Sequence, residues 1–253
     1  MTEPACRIRV LPLGDAALTV EFGRTVEPTI LARVSASAAA IERARECDPR
    51  FARIVDVVPT FRSLTIHLDP PGIADTALVE RLIEIAEAAD GDLAAGRRWR
   101  LPACFDAAVA PDLAELADAA GIDRDAAAAL FAGAVFRVAM IGFMPGFPYM
   151  TGLPAVLARP RRKNPRTTVP ARSIAVAGEM CAVYPWPSPG GWHLIGSTPV
   201  DLFDLTDPEP ALLAAGDEIE WRPVTLAEHA ALVADLAAGR LDRRSFLIAE
   251  TSP

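Results

Sequence analysis

Apolar positions in the first ninety residues follow two periods, alternation and a three-to-four spacing, in a regular order. Arg7 to Leu11 and Ala17 to Phe22 read as strands joined by the turn signal Pro12-Leu13-Gly14-Asp15. In residues 29–45, Ile30, Leu31, Val34 and Ile41 recur at helical spacing with alanines between. Ile54 to Val58 and Ser63 to Leu68 read as two more strands around Pro59-Thr60, the second placing Leu64, Ile66 and Leu68 on one face. Asp69-Pro70-Pro71-Gly72 reads as a loop, and residues 74–89 as a helix with Leu78, Leu82, Ile83 and Ile85 inward. The order β-β-α-β-β-α predicts a small α+β sandwich, four antiparallel strands backed by two helices.

The polar, glycine-containing segment 90–98 predicts a domain boundary. Beyond it, Trp99 to Phe105 reads as a strand and Pro111 to Ala120 as a helix opened by proline. Asp123 to Phe131 reads as a helix capped by Asp123, and Val135 to Ile141 as a strand. Gly142 to Pro199 holds seven of the 16 glycines and ten of the 23 prolines, which excludes long helices. Ile174 to Ala177, Cys181 to Tyr184, Trp192 to Gly196 and Glu218 to Arg222 read as short strands, and such punctuation predicts a barrel or sandwich. Thr225-Leu226-Ala227-Glu228 is a capping box opening a helix to about Ala238, and the segment after Gly239 reads as a loose tail. The predicted division is 1–92, 98–224 and 225–253.

Composition narrows the function. At 253 residues and 51% hydrophobic, the chain can build a sizeable core. Its apolar runs are broken by charge too often to span a bilayer, and MTEPACRIRV lacks the apolar centre of a signal peptide, so a cytoplasmic protein without membrane contact is expected. Cys6, Cys47, Cys104 and Cys181 are scattered, as are His67, His193 and His229, so no metal site is expected. Lys163 is the single lysine, and no glycine precedes it, so there is no P-loop. No G-x-S-x-G elbow and no catalytic dyad is recognisable, and the catalytic residues stay unassigned.

Charge is distributed unevenly. The formal net charge is −8, yet residues 126–178 contain no Asp or Glu and carry Arg137, Arg159, Arg161, Arg162, Lys163, Arg166 and Arg172. One cationic region in an acidic chain predicts a small anionic substrate and no nucleic-acid partner; the alternative is a solvated basic loop. Arg166, held between Pro165 and Thr167, is the preferred anion ligand, because a guanidinium fork suits a carboxylate or phosphate. Two segments flank this run. In the first, Pro145, Gly146, Phe147 and Tyr149 form either a ligand wall or a buried loop packing its aromatics. In the second, Ser188, Gly190 and Gly191 form either an oxyanion nest or a plain hairpin turn, with Trp192 as core and Ser188 and Ser173 as polar contacts.

Read in order, GDAALTVEFG, VPTFRSLTIHLDP, GFMPGFPYMTGLP, PRRKNPRTTVPARSIAVAG, YPWPSPGGWHLIGSTPVDLFD and AAGDEIEW resemble the family of 5-oxoprolinase B-type subunits, also called the KipI family or allophanate hydrolase subunit 1. The resemblance runs from about Arg7 to Pro223. Pattern and resemblance together give the expected fold class: α+β, an N-terminal ferredoxin-like α/β sandwich followed by a cyclophilin-like β-barrel. The resemblance implies a subunit, inactive alone, that works with a second carboxyltransferase-type subunit, the C-type partner in 5-oxoprolinase. The assembled enzyme opens 5-oxoproline to glutamate using ATP with Mg, and no biotin is carried on this chain. The alternative it implies is a KipI-like regulator that binds and inhibits a histidine kinase. Four positions depart from the family pattern: Phe131 for a histidine, Phe136 for a tyrosine, Arg172 for a glycine and Ser197 for an arginine. Arg172 and Ser197 therefore join the expected substrate site, with Arg172 replacing the lost cation from across a cleft.

Overall fold

In a computed structural model of the chain, residues 7–70, 76–90 and 96–249 are described, and the chain divides into two units, 1–94 and 95–253. Pro71-Gly72 of the expected loop, the first two residues of the expected second helix, most of the expected boundary segment, Cys6 and residues 250–253 lie outside the described residues. Among the described residues, no helix is long and apolar enough to cross a membrane.

The first unit contains β1 (Arg9–Leu13), β2 (Ala17–Glu21), α1 (Pro28–Arg45), β3 (Ile54–Pro59), β4 (Ser63–Leu68) and α2 (Thr76–Ala88). The sheet is antiparallel throughout, in the order β1-β2-β4-β3. Pro28 opens α1, where its fixed φ suits the first turn and its missing N–H costs nothing. Leu31, Val34 and Ile41 of α1 and Leu78, Leu82 and Ile85 of α2 are buried. The alternation along β4 buries Leu64, Ile66 and Leu68. All of these but Leu31 form one apolar core with Val20, Phe22 and Phe51, each side chain contributing about 1.5–3 kcal/mol on burial. The ferredoxin-like label does not carry over. A ferredoxin-like fold orders its elements βαββαβ, whereas two hairpins here each precede a helix, giving ββαββα.

The second unit contains β5 (Arg98–Cys104), α3 (Leu113–Ala120), α4 (Arg124–Ala132), β6 (Val135–Ile141), β7 (Pro148–Thr151), β8 (Arg166–Val169), β9 (Ser173–Ala177), β10 (Met180–Val183), β11 (Ser188–Gly190), β12 (His193–Ser197), β13 (Glu218–Val224), α5 (Leu226–Ala237) and β14 (Leu247–Ala249). Seven strands form a closed barrel in the order β12-β9-β10-β7-β6-β13-β5, shut by the pairing of Ser197 on β12 with Cys104 on β5. β5 and β13 pair in parallel, from Arg98 with Glu218 to Cys104 with Val224. β8 and β11 form a separate two-stranded ribbon.

Trp99, Phe131, Phe136 and Trp221 are buried in the barrel core, with the Phe131 and Phe136 ring centroids 4.6 Å apart. Two departures from the family pattern thus fill the core and line no cleft. Asp123 caps α4 through Ala126 N–H, and Thr225 caps α5 through Glu228 N–H, as the sequence pattern predicts. The loose tail after Gly239 is corrected: β14 adds to the edge of β5, and Arg243 is buried. The Arg243 guanidinium pairs with Asp207 at 2.8 Å and donates to the Glu209 carbonyl at 2.9 Å. The apolar period beyond Gly239 is too short to signal this docking.

Candidate functional site

Asp112 organises the site. It stands at the N-terminus of α3, but its side chain caps no N–H of that helix. One carboxylate oxygen accepts from Arg166 Nη2 at 2.7 Å and Arg162 Nη1 at 3.0 Å, and the other accepts from Leu194 N–H at 2.7 Å. Asp112 N–H donates in return to the Leu194 carbonyl at 3.0 Å, locking α3 onto β12. Its side chain is 5% exposed. Burial pushes this carboxyl up, but the Arg166 hydrogen bond, the Leu194 N–H and the two nearby guanidiniums outweigh it and hold the pKa below the ordinary aspartate value.

Because the folded pKa lies below the unfolded one, Asp112 stabilises the fold fully above the unfolded value of about 3.9. That stability is lost as pH falls through the lowered folded value. Acid titration followed by tryptophan fluorescence checks this: the Asp112→Asn variant should show a smaller loss of stability below about pH 4 than the parent chain.

The acid-free window is therefore not an unneutralised cleft. Its counter-acids come from other parts of the chain: Asp112 for Arg162 and Arg166, Glu218 for Arg137, and Asp201 for Arg172 at 2.7 Å. Arg161 lies 5.9 Å from the Trp192 ring centroid, within cation–π range, and Lys163 is exposed. A shallow depression of about 410 Å³ is lined by the basic run, Glu115 and His193.

The glycine-rich segments meet in an aromatic cluster. The Phe147 centroid lies 5.3 Å from Phe143, 5.0 Å from Tyr149, 5.1 Å from Tyr184 and 6.2 Å from Trp192. Phe147, Tyr184 and Trp192 are buried, so the expected ligand wall is a packed cluster whose exposed member is Phe143. Phe143 adopts φ +68°, a conformation costly for a bulky residue and characteristic of functional loops. Gly146, at φ +74°, packs against protein: a Cβ there would meet Phe203 Cβ at 2.6 Å. A Cβ on Gly190 would collide with the Tyr184 hydroxyl and lie 2.9 Å from its Cζ. Room at these two glycines is taken by side chains. Pro145 is exposed beside them, while Ser188, Gly190 and Gly191 belong to the β11 edge and its turn. Burial pushes the Tyr149 and Tyr184 phenols above the usual tyrosine range.

An open cavity of about 320 Å³ lies beside Asp112. Arg166, Thr168, Ser173, Ser197, Pro111 and Leu194 are among its lining residues. The structure thus brings the expected ligands Arg166, Ser173 and Ser197 to one cavity and puts the Pro145–Tyr149 group in the aromatic cluster. Arg172 sits at φ +65°, its N–H on the Tyr184 carbonyl and its Nε on Asp201.

Two residues escape the sequence reading. Asp112 follows Pro111 as an ordinary helix opener would, and its partners lie about fifty and eighty residues away. His229, on the first turn of α5, lies 3.2 Å from Ser197 Oγ through Nε2. Burial, reinforced by the charge of Arg172, depresses its pKa against a hydrogen bond to the Thr198 backbone.

Comparisons with known proteins agree on one family. The family model described as carboxyltransferase domain, subdomain C and D, matches residues 8–213. The B-type subunit of 5-oxoprolinase from Bacillus subtilis (strain 168) is 34% identical over 85% of this chain and 92% of its own length. Its namesake from Escherichia coli O157:H7 is 33% identical over 86% and 96%. Among solved structures, TTHA0988 superposes with a TM-score of 0.69 at 32% identity, covering 82% of this chain; this chain spans 40% of that longer one. The urea amidolyase of K. lactis shares the fold, with a TM-score of 0.72 at 22% identity over 94% of this chain and 17% of its own.

Proposed function

Because the chain belongs to the carboxyltransferase-domain family, subdomain C and D, we propose that it is the B-type subunit of a 5-oxoprolinase complex. In this reading it is cytoplasmic and active only with a second carboxyltransferase-type subunit, and the assembled enzyme opens the lactam of 5-oxoproline while hydrolysing ATP. The observation that carries the substrate class is the Arg166 cavity: about 320 Å³, one guanidinium and three hydroxyl side chains, a size and chemistry suited to a small carboxylate. Arg166 donates one Nη2 N–H to Asp112 and one Nη1 N–H to the Trp192 carbonyl at 3.5 Å, and the other donors of its five-donor fork remain for an anion. Nucleotide enters as a substrate of the assembled complex, and Mg would arrive with it. Partner dependence is supported by the greater length of TTHA0988, of which this chain spans 40%.

The substrate site is tested by titration of the full chain with 5-oxoproline. Arg166→Ala should weaken binding about tenfold or more, the loss of one charge-assisted hydrogen bond of about 1.5–3 kcal/mol. Arg162→Ala should do less, because Arg162 lines the neighbouring depression. Unchanged affinity in Arg166→Ala would remove the site from the cavity.

A further inference from the structure

We propose that Ser197, which lines the Arg166 cavity, and His229 behind it form a nucleophile–base pair able to accept the acyl group of a small activated ester that carries a carboxylate. The proposal goes beyond the oxoprolinase reading, since it assigns covalent chemistry to this chain by itself. Its basis is geometric. Ser197 Oγ and His229 Nε2 are 3.2 Å apart, within the range of an activated hydroxyl in a resting site.

Both groups are held from outside the cavity. Ser197 is fixed where the barrel closes, paired to Ser173 on one side and Cys104 on the other. His229 is fixed by the capped first turn of α5, its N–H donating to the Thr225 carbonyl at 2.9 Å. The imidazole also hydrogen-bonds the Thr198 backbone carbonyl. Nε2 is the ring nitrogen that faces Ser197 Oγ, and in the Nδ1–H tautomer it accepts the hydroxyl proton. Ser197 and His229 thus supply the nucleophile and the base of an acyl-transfer site. Ser197 and Arg166 line the same cavity, so a carboxylate bound by Arg166 places an acyl carbon near the hydroxyl.

The step balances without a co-reactant other than water. Ser197 Oγ attacks the ester carbonyl, its proton passes to His229 Nε2, and the Oγ–C bond forms. The C–O bond to the alcohol then breaks, and the alcohol leaves with the proton from Nε2. Water, deprotonated by the same nitrogen, then attacks the acyl carbon; the Oγ–C bond breaks, Ser197 Oγ takes the proton back from Nε2, and the acyl group leaves as a carboxylic acid.

The test uses the full chain with the mono-4-nitrophenyl ester of succinate and, separately, a fluorophosphonate. The expected result is nitrophenolate release with one adduct located on Ser197 by tandem mass spectrometry. Ser197→Ala should abolish the adduct, and His229→Gln should slow its formation about a hundredfold or more. Arg166→Ala should erase the preference for the succinate ester over 4-nitrophenyl acetate. An unmodified Ser197 in the parent chain overturns the proposal, as does a His229→Gln variant, folded by circular dichroism, that labels at the parent rate. Neither failure bears on partner-dependent oxoprolinase turnover, which is measured separately.

Discussion

Asp112→Ala lowers the stability of the barrel unit by about 3 kcal/mol and its melting temperature by roughly 6–12 °C. The substitution removes one acceptor system that serves two guanidiniums and the Leu194 N–H. Breaking a buried ion pair costs about 3–5 kcal/mol, because the remaining partner keeps its desolvation cost without the compensating charge. Here the two guanidiniums keep part of their surface in water, at 29% and 23% exposure, which puts the loss at the lower end. Asp112→Asn should lose less, since its amide oxygen still accepts from Leu194. Anion affinity should move the other way in both variants: with the carboxylate charge gone, Arg166 offers more of its charge to a ligand. Calorimetry with and without 5-oxoproline checks both directions; a fall in stability together with weaker anion binding would contradict the role given to Asp112.

Gly152→Ala is expected to destabilise the barrel by about 3–5 kcal/mol, combining a strained backbone with overpacking. Gly152 adopts φ +102° just after β7. A Cβ there would run into the Val135 carbonyl oxygen and lie 3.3 Å from Phe136 Cα, both backbone atoms of β6. Neither can move without disturbing the β6–β7 and β6–β13 pairings. Gly178→Ala is the control: φ is +58°, nothing lies within 4 Å of the added Cβ, and the cost should be only about 1–2 kcal/mol. Urea unfolding of the two variants compares them directly; equal losses would mean that backbone strain alone matters.

Local pattern carried much of this fold. The alternation in Ser63 to Leu68, the helical spacing of Leu31, Val34 and Ile41, and the caps at Asp123 and Thr225 act through neighbours in sequence and are visible there. β7, β8, β11 and β14 are only three or four residues long, and proline stands in or beside three of them, so they carry no readable period. The parallel pairing of β5 with β13 joins residues about 120 apart, and composition cannot show it. The candidate site divides in the same way. A cationic region is legible in an acid-free window, but its neutralisation by Asp112, Asp201 and Glu218 depends on folding. The Ser197–His229 approach spans 32 residues and requires barrel closure and the docking of α5 together.

The most direct test of the central claim is 5-oxoproline-dependent ATP hydrolysis, measured on the chain alone and on the chain co-purified with a second carboxyltransferase-type subunit. The account predicts no turnover by the chain alone, turnover by the complex, and a loss of about tenfold or more in kcat/KM for 5-oxoproline when the complex carries Arg166→Ala. Turnover of 5-oxoproline by the isolated chain, or an assembled complex whose ATP hydrolysis ignores 5-oxoproline, would contradict it.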